Sequence, residues 1–205
     1  MRRTKREIWP LIHTERAALA DDLTGLDDVA WATPSLCAGF TVREVLAHLT
    51  ASGSLGAIRW FAGVLRCRFD FDRQVSMRLA EQLGASGTQT LARFRATVAS
   101  TTCPPLPRLA LLGEVIVHAQ DIRRPLALDR ASPIDTLTAV ARYYRGADQV
   151  VLAKGRVADL RLVATDGPFA AGDGPTVALV MAMTGRGAFC EDLTGDGVPI
   201  LRARC

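Results

Sequence analysis

The chain has 205 residues, 49% of them hydrophobic, and its 25 Lys and Arg residues outnumber its 21 Asp and Glu residues by only four. This size and composition predict one globular domain, or one domain with a small appendage. The near-balanced charge argues against a nucleic-acid-binding protein, and no apolar run reaches the roughly 18 residues that a membrane-spanning helix needs.

The N-terminus lacks the apolar core of a secretory signal peptide, which predicts a cytoplasmic protein. The five cysteines are odd in number and widely scattered, and no C-x-x-C pair occurs. This pattern favours reduced thiols with structural or incidental roles over a disulfide framework or a zinc ribbon.

A first helix is predicted over residues 4–26, where apolar residues recur on one stripe at helical spacing. Glu15 falls on that stripe, which is unusual for a carboxylate. It either pairs with an arginine of a neighbouring helix or supports a buried site. His13 projects from the opposite, polar face, so we exclude it as a metal ligand.

The clearest helix start is at Thr41. Thr41 and Glu44 have the spacing of a capping box, in which each side chain accepts a hydrogen bond from the other residue's backbone N–H. This start places His48 about two turns inside the helix, on its inward face. We expect the helix to continue to about residue 66, despite Gly53 and Gly56.

Further helices are predicted at four places after this one: residues 74–82, 87–100, 109–122 and 133–153. A proline-rich break at residues 103–107 precedes the third of them, and Pro125 follows it. These helices and the two before them predict a mainly α main domain over residues 1–155.

After residue 155 the pattern changes. Residues 159–165 and 198–204 alternate in the manner of strands, and residues 176–193 have a helical pattern. The sequence therefore predicts a small β-α-β unit over residues 156–205, which is too short to fold alone and packs on the helical domain.

Glu114 and His118 stand four residues apart in a very apolar helical stretch, so they share one helix face. A carboxylate and an imidazole buried there without partners would be unfavourable, and a divalent metal would compensate both. His48 offers a third donor from another helix, as metal sites in helical bundles require. A His-His-Glu set leaves one coordination position open, the pattern of catalytic zinc.

Asp121 lies on the same stripe as His118, three residues further along. It is a candidate for a weak fourth ligand or for a hydrogen-bond acceptor that orients the imidazole. The spacing of Glu114 and His118 leaves a second interpretation open, because a Glu–His pair at this spacing is often only a helix-surface interaction.

Two segments are distinctive, TVREVLAHL at residues 41–49 and GEVIVHAQDIRRP at residues 113–125. Glu15-Arg16, Trp31, the loop before Thr41 and a looser stretch at residues 179–197 accompany them. In this order they resemble the maleylpyruvate isomerase family of mycothiol-dependent enzymes, a branch of the DinB-like metal-binding helical bundles. The matching segments span nearly the whole chain.

The resemblance implies a DinB-like four-helix-type bundle with a divalent metal, usually zinc, held by His48, Glu114 and His118. It also implies mycothiol, a low-molecular-weight thiol, as cosubstrate. A metal that coordinates the thiol favours its thiolate form, which adds to a small electrophilic substrate. In an isomerase the thiol leaves again after bond rotation, and in a transferase it stays attached.

The resemblance further implies a catalytic arginine, for which Arg186 is the best match. Its guanidinium would bind a substrate carboxylate bidentately, although a purely structural role is the open alternative. The C-terminal unit is shorter than in the isomerase itself, so the substrate is not implied. Two other functions compete, a non-catalytic protein that binds metal or a small ligand, and a structural bundle in which Glu114 and His118 form a buried polar pair.

Overall fold

The computed structural model describes residues 8–149, 151–161, 163–169 and 174–205. The chain divides into two compact units, Met1–Asp129 and Arg130–Cys205. Sequence analysis instead placed the boundary near residue 155, where strand-like patterning begins. The difference arises because the helix that follows Pro133 packs against the helix that begins at Thr176, and therefore belongs with the C-terminal residues.

The described part of the first unit is built entirely from helices joined by short loops and turns. They are α1 (Ile8–Asp22), α2 (Asp28–Ala32), α3 (Val42–Ser54), α4 (Ala57–Arg66), α5 (Phe71–Gln82), α6 (Gly87–Arg95) and α7 (Arg108–Arg123). The mainly helical architecture confirms the α part of the predicted fold class and is consistent with a DinB-like fold.

Helices α3 and α7 form the centre of the first unit. Helix α3 packs against α5, α6 and α7, and α1 packs against α7 and α6. Helix α7 is apolar around most of its circumference, as expected for a helix enclosed by neighbours. Its large apolar side chains that are fully or almost fully buried are Leu111, Leu112, Val115, Ile116, Val117 and Ile122.

The predicted capping box at the start of α3 is present. The backbone N–H of Thr41 donates to Glu44 Oε2 at 2.8 Å, and the N–H of Glu44 donates to Thr41 Oγ1 at 3.4 Å. The predicted continuation of this helix to residue 66 is wrong, because α3 ends at Ser54. Leu55 is extended and Gly56 is the N-cap of α4, so the weak helix propensity of glycine coincides with a real break.

Helix α2 was not predicted, and it positions Trp31. Its N-cap Asp27 accepts a hydrogen bond from the N–H of Ala30 at 2.8 Å, and Trp31 is buried against the start of α6. A Cβ added at Gly87 would overlap the indole ring of Trp31. Glycine is therefore required at Gly87 for close packing rather than for a special backbone angle.

The described part of the second unit is also helical. It contains α8 (Ile134–Gly146), α9 (Ala153–Arg156), α10 (Thr176–Met183), a 3₁₀ helix (Gly187–Asp192) and α11 (Val198–Ala203). Helix α10 is apolar on every side, and it packs against α8 and the 3₁₀ helix. Within the described residues, no helix is long and apolar enough to cross a bilayer.

The predicted β-α-β unit is wrong, since no sheet occurs among the described residues of this segment. The extended pairing seen there is a single parallel bridge between Ala164 and Gly174. Asp159 has a left-handed φ of 64°, which a strand does not accommodate, and residue 162 lies outside the described residues. The segment 198–204, predicted as a strand, instead contains α11 (Val198–Ala203).

The reason for helix rather than strand at α11 is local. Pro199 lies in the first helical turn, where its missing N–H is not needed, whereas in a strand it would remove a ladder donor. A lone strand also leaves its backbone groups without partners, while a helix satisfies them internally. The short alternation of apolar and polar residues at 198–204 is compatible with either a strand or a helix, so it did not decide between them.

Candidate metal centre

The two central helices of the first unit bring three metal-ligand side chains together. Helix α3 carries His48, and α7 carries Glu114 and His118 one turn apart. Within the described residues, one potential ligand atom from each of the three lies within 4.8 Å of the others. The cluster is only partly exposed, with 21% of the His48 side chain and 14% of the His118 side chain accessible to solvent.

The contacts inside this cluster are direct. His48 Nε2 lies 3.1 Å from Glu114 Oε1, which joins the two helices. The imidazole rings of His48 and His118 meet edge to face, with centroids 4.9 Å apart. The structure thus brings together the three residues that the sequence proposed as ligands, although His48 and Glu114 are 66 residues apart in the chain.

Ser52 is a fourth participant, to which the sequence assigned no role. Its hydroxyl donates to Glu114 Oε1 at 2.7 Å. Ser52 follows His48 by four residues, so both side chains share the inward face of α3. That spacing was the available signal, but it did not indicate which group on the facing helix would accept the hydrogen bond.

The protonation states favoured here are those that metal ligands need. Burial by itself raises the pKa of Glu114, but hydrogen bonds from His48 and Ser52 and the charges of both histidines bring that pKa below its ordinary value. Burial lowers the pKa of His118, although the neighbouring Asp121 opposes this shift. At neutral pH the cluster therefore offers a carboxylate and a neutral His118 imidazole.

Asp121 holds the ring of His118 from behind. It is fully buried, and its Oδ2 lies 2.9 Å from His118 Nδ1. If Nδ1 carries the proton in this hydrogen bond, Nε2 carries the lone pair that a metal ligand requires. Of the two roles considered from the sequence, this contact favours the hydrogen-bond acceptor over a direct fourth ligand.

The donor set fits a small divalent cation. Two ligands at zinc's usual bond lengths, around a tetrahedral ion, lie about 3.4 Å apart. The 3.1 Å separation of His48 Nε2 and Glu114 Oε1 is close to this value, and a ring nitrogen of His118 lies within 4.8 Å of a ligand atom of each of these two residues. Two imidazoles and one carboxylate are also the ligand types that zinc accepts at sites with an open position.

Cys37 adds a thiol beside the cluster. Its sulfur, a nitrogen of His118 and a carboxylate oxygen of Asp121 form a second group of possible ligands within 4.8 Å. The loop that carries Cys37 is fixed to α7, because the N–H of Leu36 donates to the backbone carbonyl of Asp121 at 3.0 Å. The sequence predicted only structural or incidental roles for the scattered cysteines, and it did not predict this proximity of Cys37 to His118.

The other residues considered from the sequence, Glu15, His13 and Arg186, are not part of the two donor groups. Glu15 is buried on α1 and belongs to neither donor group found in the described part of the chain. His13 lies outside both groups as well, with Nε2 3.2 Å from the backbone carbonyl of Ser100. Arg186 belongs to the second unit, where its Nη1 donates to the carbonyl of Thr184 at 2.9 Å.

We expect Asp121→Asn to weaken metal binding by about 10–100-fold, the usual effect of losing a carboxylate that orients a ligating imidazole. The affinity is measured by competition with a chromophoric chelator. Asp129→Asn, a change of the same kind at an exposed carboxylate beyond the end of α7, serves as the matched control. Equal affinities for the Asp121 variant and the wild type would show that Asp121 does not orient His118.

The first unit is thus a helical domain with a His–Glu–His donor group shared between two central helices. Residues 12–104 match the family model of the mycothiol maleylpyruvate isomerase N-terminal domain. The resemblance drawn from the sequence is confirmed for this segment, which includes His48 and Ser52 and ends before α7. No curated protein and no solved structure matches the chain significantly.

Proposed function

We propose that this chain is a divalent-metal-dependent and mycothiol-dependent transferase or isomerase that acts on a small electrophile. The observation that carries the proposal is the convergence of His48, Glu114 and His118 in a unit that matches a mycothiol-related family. Zinc is the proposed metal, because the donor set is two imidazoles and one carboxylate.

Each residue of the cluster has a separate task in this proposal. His48, Glu114 and His118 hold the cation, while Ser52 and Asp121 fix the orientation of Glu114 and His118 through their hydrogen bonds. When bound, the cation favours the thiolate form of the cosubstrate. For Arg186 we propose the role implied by the resemblance, binding of a substrate carboxylate.

The reaction balances without an oxidant or a reductant. The thiol sulfur forms a bond to an electrophilic carbon of the substrate, and the thiol proton ends on a neighbouring carbon or oxygen atom. In a transferase this adduct is the product. In an isomerase the sulfur–carbon bond breaks again after rotation about the adjacent carbon–carbon bond, and the thiol is regenerated.

The test is a steady-state assay of the zinc-loaded protein with mycothiol and a panel of cis-unsaturated acids and epoxides. We expect turnover that requires the thiol, read by liquid chromatography with mass spectrometry. A transferase gives an adduct of higher mass, and an isomerase gives a product of unchanged mass at a different retention time. Arg186→Met should raise the KM for carboxylate substrates by about 10–100-fold, the usual worth of a charged hydrogen bond. Its effect on uncharged epoxides should be small.

A second function, a binding protein for metal or a small ligand without turnover, is favoured by one observation. The family match ends at residue 104 and so covers neither Glu114, His118 nor the second unit. This alternative predicts stoichiometric metal but no thiol-dependent product with any member of the panel. That result, obtained with metal-loaded protein, would overturn the enzymatic proposal.

A further inference from the structure

Helix α4 presents an apolar face to solvent. Ile58, Phe61 and Leu65 recur at intervals of three and four residues, so they form one stripe along the helix. Their exposed fractions are 87%, 55% and 67%, respectively. Large apolar side chains aligned in this way differ from the single exposed apolar residues that any protein surface carries.

Two further exposed phenylalanines follow just past the end of the helix. Phe69 and Phe71 are 66% and 56% exposed, and we refer to Ile58, Phe61, Leu65, Phe69 and Phe71 together as the α4 face. The helix closes with a Schellman pattern, in which the N–H of Phe69 donates to the carbonyl of Val64 at 2.9 Å and the N–H of Arg68 donates to the carbonyl of Leu65 at 3.1 Å.

The backbone at this turn is strained. Arg68 and Phe69 have φ values of 55° and 66°, the left-handed region where glycine is the usual residue. Two consecutive bulky residues in that region are disfavoured, and glycine at Arg68 would remove part of the strain. The chain instead retains an arginine and an exposed phenylalanine here, next to the stripe on α4.

The α4 face is held in place from behind. The buried side of α4 consists of Gly63 and Val64. Arg78 Nη2 donates to the carbonyl of Arg59 at 2.8 Å, and Gln74 Nε2 donates to the carbonyl of Trp60 at 3.1 Å. Both donors come from α5, so the apolar side chains project from a helix anchored by two hydrogen bonds from its neighbour.

The exposed apolar area is large enough for a stable interface. Five large side chains, each more than half exposed, present on the order of 600 Å² of apolar surface, at the upper end of what monomers expose as one patch. With a polar rim added, the area approaches the roughly 800 Å² per partner that a standard protein–protein interface buries.

The charges around the face indicate which partner fits. The rim carries both signs, and its exposed members are Arg59, Arg66, Arg68, Arg73, Asp70, Asp72 and Glu81. With four arginines and three carboxylates the rim is close to neutral, so its net charge gives little attraction to an anionic membrane surface or a nucleic acid. In a two-fold dimer the same patch faces itself, so arginines of one copy can meet carboxylates of the other.

We propose that the α4 face is the interface of a two-fold homodimer, in which α4 of one protomer packs against α4 of its partner. The proposal is independent of the metal centre and of the proposed function. It assigns the same residues on both protomers, as a two-fold interface requires.

The test is sedimentation equilibrium of the full chain over a wide range of concentration. We expect the wild type to approach twice the 22.1 kDa chain mass. Leu65→Glu places a carboxylate inside the apolar contact on both protomers, so the dissociation constant should rise by at least about 30-fold, the size of an interface hot spot. Val29→Glu, at a 78% exposed valine on α2, is the matched control and should remain dimeric.

A second set of measurements tests whether the Leu65→Glu variant is still folded. Circular dichroism should give the same helix content for wild type and Leu65→Glu, and hydrogen exchange at residues 57–71 should slow with protein concentration only in the wild type. A wild type that stays monomeric at every concentration, or a Leu65→Glu protein that dimerises normally, would overturn the proposal. Binding of the wild type to vesicles containing phosphatidylserine, without dimerisation, would assign the face to a membrane surface instead.

Discussion

Replacing His118 by alanine is expected to abolish stoichiometric metal binding, whereas the wild type should carry about one divalent ion per chain. His118 supplies one of only three donors, and two remaining donors from different helices do not hold a zinc ion against dialysis. His48→Ala should have the same effect, because it removes the donor on α3. The measurement is elemental analysis of protein purified without chelator.

The chain contains its own control for this experiment. Of its three histidines, His13 lies 3.2 Å from the carbonyl of Ser100 and is in neither donor group. His13→Ala should therefore retain the ion. Full occupancy in both His48→Ala and His118→Ala would eliminate the site, and a metal-free wild type would leave Glu114 and His118 as a buried polar pair satisfied by Ser52 and Asp121.

Replacing Asp22 by alanine is expected to lower the free energy of unfolding by about 3 kcal/mol. Asp22 Oδ2, at the end of α1, accepts a hydrogen bond from Arg123 Nε at 2.8 Å and lies 2.7 Å from Arg123 Nη2 in the same ion pair at the end of α7. The Arg123 side chain is only 1% exposed. Without the carboxylate, its charge would be left buried beside α7 and uncompensated, which is the costly way to break a buried ion pair.

Asp21 provides the matched control, because it is the neighbouring residue of the same type with an exposed side chain. Asp21→Ala should change the free energy of unfolding by less than about 0.5 kcal/mol. Urea unfolding followed by tryptophan fluorescence reports on the correct unit, since all three tryptophans lie between Trp9 and Trp60. Equal effects at Asp21 and Asp22 would show that the ion pair does not stabilise the α1–α7 contact.

Much of the first unit was predictable from local chemistry. The capping box at Thr41 and Glu44 defined the start of α3, and with it the side of the helix on which His48 lies. The prolines before α7 and the apolar content of that helix predicted its position and its burial. These features depend on residues within a few positions of one another, so the sequence contains the whole of their physical cause.

The sequence was least informative where the outcome depends on distant partners. A strand pattern at residues 198–204 and a helix pattern are nearly equal over so few residues. Pro199, together with the lack of a pairing strand among the described residues, decided for α11. The break between α3 and α4 was missed because isolated glycines are also tolerated within helices. The division into units depends on α8 packing against α10, a contact between segments about 40 residues apart that periodicity does not report.

For the candidate site, the sequence by itself determined the types of donor and the helix faces on which they lie. It placed a Glu and a His one turn apart on a buried helix, and a second His on the inward face of another helix. Tertiary structure alone decided which groups meet across α3 and α7: the contact of His48 with Glu114, the Ser52 hydroxyl on the same carboxylate, and Cys37 beside His118. Helical spacing fixes neighbours along one helix, whereas the distance between two helices is set by the packing of their whole apolar surfaces.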